Sequence, residues 1–212
     1  MLTIKKGLLL VIGLYLCTLG TVLSIISSIG ITPINTVPYS VNIRFPVLTL
    51  GHWTMIMNFL FIILQILILR KDFKLKQLFQ IVIVVILGYF LDVNNALFAN
   101  IQVNAYLMQL ILLLAGTILM ALGISVVCQA NVPMNAGEAL VNAISIKSNI
   151  PFGNCKVIFD VILVLITIIF SYLAMGKIEG IREGTIIMAL LTGLFIKFFN
   201  DKLSFLYQPA YN

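Results

Sequence analysis

Six predominantly apolar runs, broken by short polar stretches, organise this chain: about 7–29, 49–69, 78–91, 106–127, 154–175 and 184–199. A membrane-crossing helix takes about 20 apolar residues, so the pattern predicts roughly six spans. Two of the breaks differ from ordinary connections. From Gly30 to Leu48 the chain carries Pro33, Pro38 and Pro46 with Asn35, Asn42 and Arg44, which forbids a regular spanning helix and predicts a loop or a short broken helix. From Gln129 to Gly153 it carries Pro133, Asn135, Gly137 and Glu138, with a short amphipathic helix predicted from about Asn135 to Lys147. Broken backbone at membrane depth is tolerated where it lines a cavity or is buried in protein, so these two stretches are the first candidates for a functional site.

Composition agrees with this pattern. With 61% hydrophobic and 9% charged residues and a mean hydropathy of +1.14, the chain lacks the polar side chains to cover a water-soluble surface. A single membrane domain over 1–212 is expected, with the lipid bilayer as its surroundings. The net charge of +6 does not point to nucleic acid, because the basic residues fall between the apolar runs. Ten of the 13 Lys and Arg residues lie on the side holding the N-terminus, the 70–76 loop, the 129–156 connection and the C-terminal part. Only Arg44, Lys177 and Arg182 lie on the other. That bias predicts an even number of spans with both termini cytoplasmic. The first run is too long for the apolar core of a signal peptide and is expected to be a retained span.

The two halves repeat each other. Gly13 and Gly20 match Gly116 and Gly123, Pro33-x-Asn35 matches Pro133-x-Asn135, and Gly51 with Asn58 matches Gly153 with Asp160. Gly88 then matches Gly193, all at offsets of 100 to 105 residues. Three spans repeated once must enter the membrane inverted the second time. The expected fold is therefore all-α, a polytopic bundle of about six helices in two inverted three-helix repeats (about 7–92 and 106–202), with broken re-entrant or short helices after spans one and four. Inverted repeats are the plan of many secondary transporters.

Asp160, seven residues beyond Gly153, lies on the order of 10 Å along its helix, and an intramembrane carboxylate needs a partner. Lys156, four residues earlier on the same face, supplies a structural one; exchange of that partner during transport is the functional reading. Glu138 either binds a cation or substrate amine or serves as a helix N-terminal charge. Asn35, Asn58 and Asn135 complete the expected substrate- or ion-binding set, and Arg182 with Glu183 is the expected gate, although charges at helix ends commonly act as anchors. Trp53 is expected to anchor at the interface. Cys17, Cys128 and Cys155 show no metal or disulfide spacing and are expected to be packing residues. With one histidine and no nucleophile, base or phosphate-cradle motif, neither an enzyme nor a cofactor nor a metal site is expected.

The segments GITPINTVPYSV, FPVLTLGHWTMIMNFLFI, GYFLDV, MNAGEALVNAISI, FGNCKVIFDVILV and GIREGTIIMALLTGLFIKFFN resemble the YczE/YyaS/YitT-type group of small bacterial membrane proteins over nearly the whole chain. The features that carry the resemblance are Gly137 with Glu138, Lys156 with Asp160, and the Glu183-Gly184-Thr185 turn. This chain has Asn135-Ala-Gly-Glu138 where better-known members have an Arg-Asp pair. The resemblance implies a multi-span protein of the bacterial cytoplasmic membrane. Two functions follow: a carrier of a small polar or cationic solute, or a non-transporting module such as the substrate-binding subunit of a larger importer or a regulator. The latter would need a membrane partner; a homo-oligomer is compatible with either.

Overall fold

The computed structural model describes residues 4–130 and 135–203. These hold eight α-helices and, among the described residues, no strand: α1 (Ile4–Ser27), α2 (Pro33–Arg44), α3 (Leu50–Leu69), α4 (Gln80–Leu97), α5 (Tyr106–Gln129), α6 (Ala136–Ser148), α7 (Phe152–Met175) and α8 (Glu183–Leu203). Five helical segments are long and apolar enough to cross a membrane: α1, α3 with its following turn, α4 with its preceding turn, α5 and α7. The sixth expected span corresponds to α8, a helix of 21 residues that is not among those five. Pro133 of the second Pro-x-Asn and the tail beyond residue 203 lie outside the described residues.

α1 and α5 form the centre, crossing antiparallel through four glycines. A methyl group on Gly13 would stand 2.8 Å from the Gly123 carbonyl oxygen, and one on Gly20 would stand 2.5 Å from that of Gly116. The reverse contacts, Gly116 to the Gly20 carbonyl and Gly123 to the Gly13 carbonyl, are both 2.6 Å. Backbone therefore lies on backbone at two levels, which only residues without a Cβ permit. Small residues serve this role in membranes because lipid supplies no hydrophobic drive between helices. On this pair, α4 packs along α1 and α8 along α5.

The proline-rich stretch of 30–48 is largely helical. Pro33 occupies the first turn of α2, where its missing N–H costs nothing, and Pro38 lies inside the helix. α2 packs on α3 and α7, and α6 packs on α7 and α3, so each short helix bridges the same two long ones. Thr36 hydroxyl meets Thr167 hydroxyl at 2.8 Å and the Arg44 guanidinium donates to the Ala174 carbonyl at 3.1 Å, so α2 runs parallel to α7. Gln65 on α3 donates to the Ala136 carbonyl at 2.9 Å, and Lys147 pairs with Asp72 at 2.6 Å, so α6 runs parallel to α3.

The connection expected at Asp92, Asn94 and Asn95 is instead the last turns of α4. Two contacts hold it helical. Asn94 is fully buried and donates to the Thr18 hydroxyl at 2.9 Å. Asp92 accepts from the Gly51 N–H at 2.7 Å and from the Thr49 hydroxyl at 2.5 Å, so its carboxylate caps the N-terminus of α3. Asp92 and Asn94, which look like loop residues in sequence, are directed into the bundle, while Asn95 is exposed.

A leucine at Gly20 is expected to lower the thermal midpoint in detergent markedly, at about 2 kcal/mol or more for overpacking against immovable backbone. The same change at Gly153, which has open space around it, should leave the midpoint nearly unchanged; equal melting of the two variants would contradict the glycine crossing. Asp92→Ala should cost about 1–2 kcal/mol through loss of the α3 cap, read in the same melt.

Candidate functional site

The candidate site forms where the two short helices begin. α2 and α6 point their N-termini at each other: a methyl group placed on Gly137 in the first turn of α6 would overlap the Ile34 Cδ1 of α2, with Phe61 of α3 alongside. Each start is fastened by side chains. Asn35 donates to the Thr32 hydroxyl at 2.9 Å and to the Thr21 hydroxyl of α1 at 3.4 Å. Asn135 accepts from the Ala136 N–H at 2.9 Å. The two Pro-x-Asn asparagines thus both act at helix starts, and both are partly buried.

A second fastening went unnoticed in the sequence. Gln65 and Gln80 exchange reciprocal amide hydrogen bonds of 3.1 and 3.2 Å inside the bundle, both essentially unexposed, and Gln65 also holds the first carbonyl of α6. The available signal was Gln65 alone within the apolar run FLFIILQILIL, since an uncompensated amide is costly among hydrocarbon side chains. Another signal was the three-residue spacing of Thr18, Thr21, Ser24 and Ser27, which are all buried on one face of α1.

Converging N-termini concentrate positive partial charge, and a carboxylate in the first turn is the expected counterweight. Glu138 occupies that turn of α6. Its Oε2 is buried and has no hydrogen-bond partner. Asn58 is 5% exposed; its amide donates to the Thr54 carbonyl at 2.8 Å, which leaves Oδ1 without a partner, as is the Thr54 hydroxyl. Asn94 repeats the arrangement: Thr18 gives its proton to the Tyr15 carbonyl, so the Asn94 amide must donate to it, and Asn94 Oδ1 is left over. Among the described residues, every buried side-chain polar atom without a partner is an oxygen.

Asp160 lies on α7. It forms the expected ion pair with Lys156 at 2.6 Å, and Lys156 also lies over the Phe159 ring. The pair is only partly covered, with side chains 17% and 29% exposed respectively. Arg182 and Glu183 pair at 3.1 Å on the surface, and Arg182 donates to the Ser28 carbonyl at 3.1 Å. Together with the Gly184 N–H on the Ile29 carbonyl at 2.8 Å, this ties the start of α8 to the end of α1. Trp53 donates its indole N–H to the Phe45 carbonyl, closing the turn between α2 and α3. The three cysteines are free thiols. Two surface pockets, of about 420 and 440 Å³, are lined by none of the expected site residues.

A helical bundle with five segments able to cross a membrane and a polar, hydrogen-bonded interior defines an integral membrane protein. The chain belongs to a family of unknown function (DUF6198), whose model matches residues 4–201. That match supports the expected kind of family and does not extend to the YczE/YyaS/YitT name. No curated protein and no solved structure matches the chain.

Glu138→Gln should leave the fold intact and hold or raise the thermal midpoint, because it removes a buried, unpartnered charge oxygen. Gln65→Leu should lower it by about 1–3 kcal/mol, because it strands the Gln80 amide. A loss of stability in the first variant as large as in the second would show that Glu138 has a structural partner.

Proposed function

We propose that this protein is a secondary transporter of a small polar or cationic solute in the bacterial cytoplasmic membrane, with both termini inside. It consists of six spans in two inverted three-span repeats. The observation that carries this reading is the pair of opposed half-helices, each seated between the long helices α3 and α7, with the unpartnered Glu138 Oε2 in the first turn of α6. Interrupted helices whose ends meet within the bundle are the common form of a transport site near the bilayer midplane. The repeat reading draws support from the pairings: α1 with α4 answers α5 with α8, and α2 with α7 answers α6 with α3.

The chemistry favours a donor-rich or cationic solute over an anion. Among the free groups are the Glu138 carboxylate oxygen and the Asn58 and Asn94 carbonyls, which only accept hydrogen bonds, and the Thr54 hydroxyl, which can also donate. In this reading Glu138 is the principal binding carboxylate, with Asn58, Asn35 and Asn135 around it. Asp160 with Lys156 is a second charge element on α7, and Arg182 with Glu183 acts as the outer clamp.

A second reading, a non-transporting module that binds a membrane partner, draws on α7, the least buried of the five candidate spans. Its exposed face includes Val157, Val161, Leu165, Ile169, Tyr172 and Leu173.

Purified protein in liposomes is expected to accelerate uptake of a probe amine such as methylammonium, or of protons followed by a trapped pH dye. Glu138→Gln should reduce the rate by at least about tenfold at unchanged protein content, and Asp160→Asn should also slow it. Flux equal to that of empty liposomes for these probes, together with a stoichiometric partner co-purifying from the membrane, would replace the carrier with the module.

A further inference from the structure

The turn between α3 and α4 is short. One spanning segment ends at Asp72 and the next begins at Leu75, so only Phe73 and Lys74 separate them. Two 3-10 turns, Arg70–Asp72 and Leu75–Phe79, carry the chain across. A connection of that length cannot rise far from the bilayer, so its side chains stay at the depth of the lipid headgroups. Four of them are cations, Arg70, Lys71, Lys74 and Lys76, and all four are exposed.

Basic residues at a membrane surface commonly serve topology alone. What distinguishes these is how little the protein itself engages them. At the opposite end of the bundle, Arg44 is held by the Ala174 carbonyl and the Phe45 ring, Lys177 by Glu179, and Arg182 by Glu183 and the Ser28 carbonyl. Among the described residues, Arg70, Lys71, Lys74 and Lys76 form no ion pair. The one carboxylate of the turn, Asp72, is taken instead by Lys147 in the last turn of α6, at 2.6 Å. That pair cancels, and four charges within seven consecutive residues are left to an external anion.

An apolar track begins at the same place. Leu75 is 81% exposed, and Leu78, Val82 and Val85 follow it, exposed as well, at intervals of three and four residues. That spacing sets them in one line along α4. From Leu75 to Val85 the line runs about 15 Å, close to the hydrocarbon depth of a single leaflet.

We propose that the α3–α4 turn is a binding site for an anionic phospholipid. Arg70, Lys71, Lys74 and Lys76 hold the headgroup phosphate, and one acyl chain lies along Leu75, Leu78, Val82 and Val85. Lys147 is a positioning residue: by neutralising Asp72 it removes the repulsion that this carboxylate would exert on the phosphate. The site stands independently of the transport reading.

The test uses the full chain in detergent, read by thermal midpoint and native mass spectrometry. Phosphatidylglycerol is expected to raise the midpoint by several degrees and to remain as a bound adduct, whereas phosphatidylcholine does neither. Changing Arg70, Lys71, Lys74 and Lys76 together to Gln should abolish both effects, at roughly fivefold in affinity for each cation. Because these side chains are exposed, the midpoint without added lipid should stay within a few degrees of the parent. If that variant does not fold, Lys74→Gln with Lys76→Gln replaces it, with an expected loss of about 25-fold. Lys147→Gln should weaken binding, and adding Asp72→Asn should restore it although the tie to α6 is still missing. Changing Lys5, Lys6, Lys197 and Lys202 to Gln is the control and should alter little. A loss in the control as large as in the turn variant would overturn the proposal, since the attraction would then be spread over the whole basic end. So would undiminished phosphatidylglycerol binding in the turn variant, or an equal rise in midpoint with inorganic phosphate, which would make the turn a site for a free anion.

Discussion

Everything in this molecule is referred to one backbone crossing. Gly13, Gly20, Gly116 and Gly123 bring the main chains of α1 and α5 together at two levels, with no side chain between them. Helices at such short range exclude lipid between them and fix their mutual angle, which larger residues would leave adjustable. The remaining long helices are arranged on this axis: α4 on α1, α8 on α5, α3 further out on α4, and α7 held through the half-helices. The half-helices are therefore structural keystones as well as candidate functional elements, because α2 and α6 each join a helix of one half of the chain to a helix of the other.

Polar chemistry in the interior follows from the same constraint. Without water to complete hydrogen bonds, each buried donor must find a partner inside the protein. The hydroxyls of α1 largely solve this locally, Thr21 donating to the Cys17 carbonyl and Ser24 to that of Thr21. The amides of Gln65 and Gln80 solve it across the bundle. Acceptors are treated differently: Glu138, Asn58 and Asn94 each keep an oxygen without a donor. The described interior thus keeps unpartnered acceptor oxygens on Glu138, Asn58 and Asn94 beside the unpartnered hydroxyls of Thr54, Ser171 and Thr192.

How much of this was legible in the sequence differs from residue to residue. Spacing revealed the long helices and the glycine pairs, since 3.6-residue periodicity and a 103-residue offset are both properties of the string itself. The Lys156–Asp160 pair was legible for the same reason, being four residues apart on one helix. Asp92 was misplaced because its partner, the α3 N-terminus, lies 41 residues away, and no local pattern separates a capping carboxylate from a loop one. Proline density left α2 open between a loop and a short helix: Pro33 is harmless in a first turn, and Pro38 is tolerated in a helix packed on two others. Gln80 and Thr167 became interpretable only once the helices around them were in position.

The bond from Trp53 to the Phe45 carbonyl has a use beyond closing a turn. Trp53 is the sole tryptophan in the chain, and its indole is fastened to the residue that ends α2. The protein thus carries its one tryptophan fluorophore at the distal end of a half-helix whose other end lies at the candidate site. Any displacement of α2 against α3 would change the hydrogen bonding and solvation of that ring. Its emission offers a label-free optical reading of the half-helix in the unmodified protein.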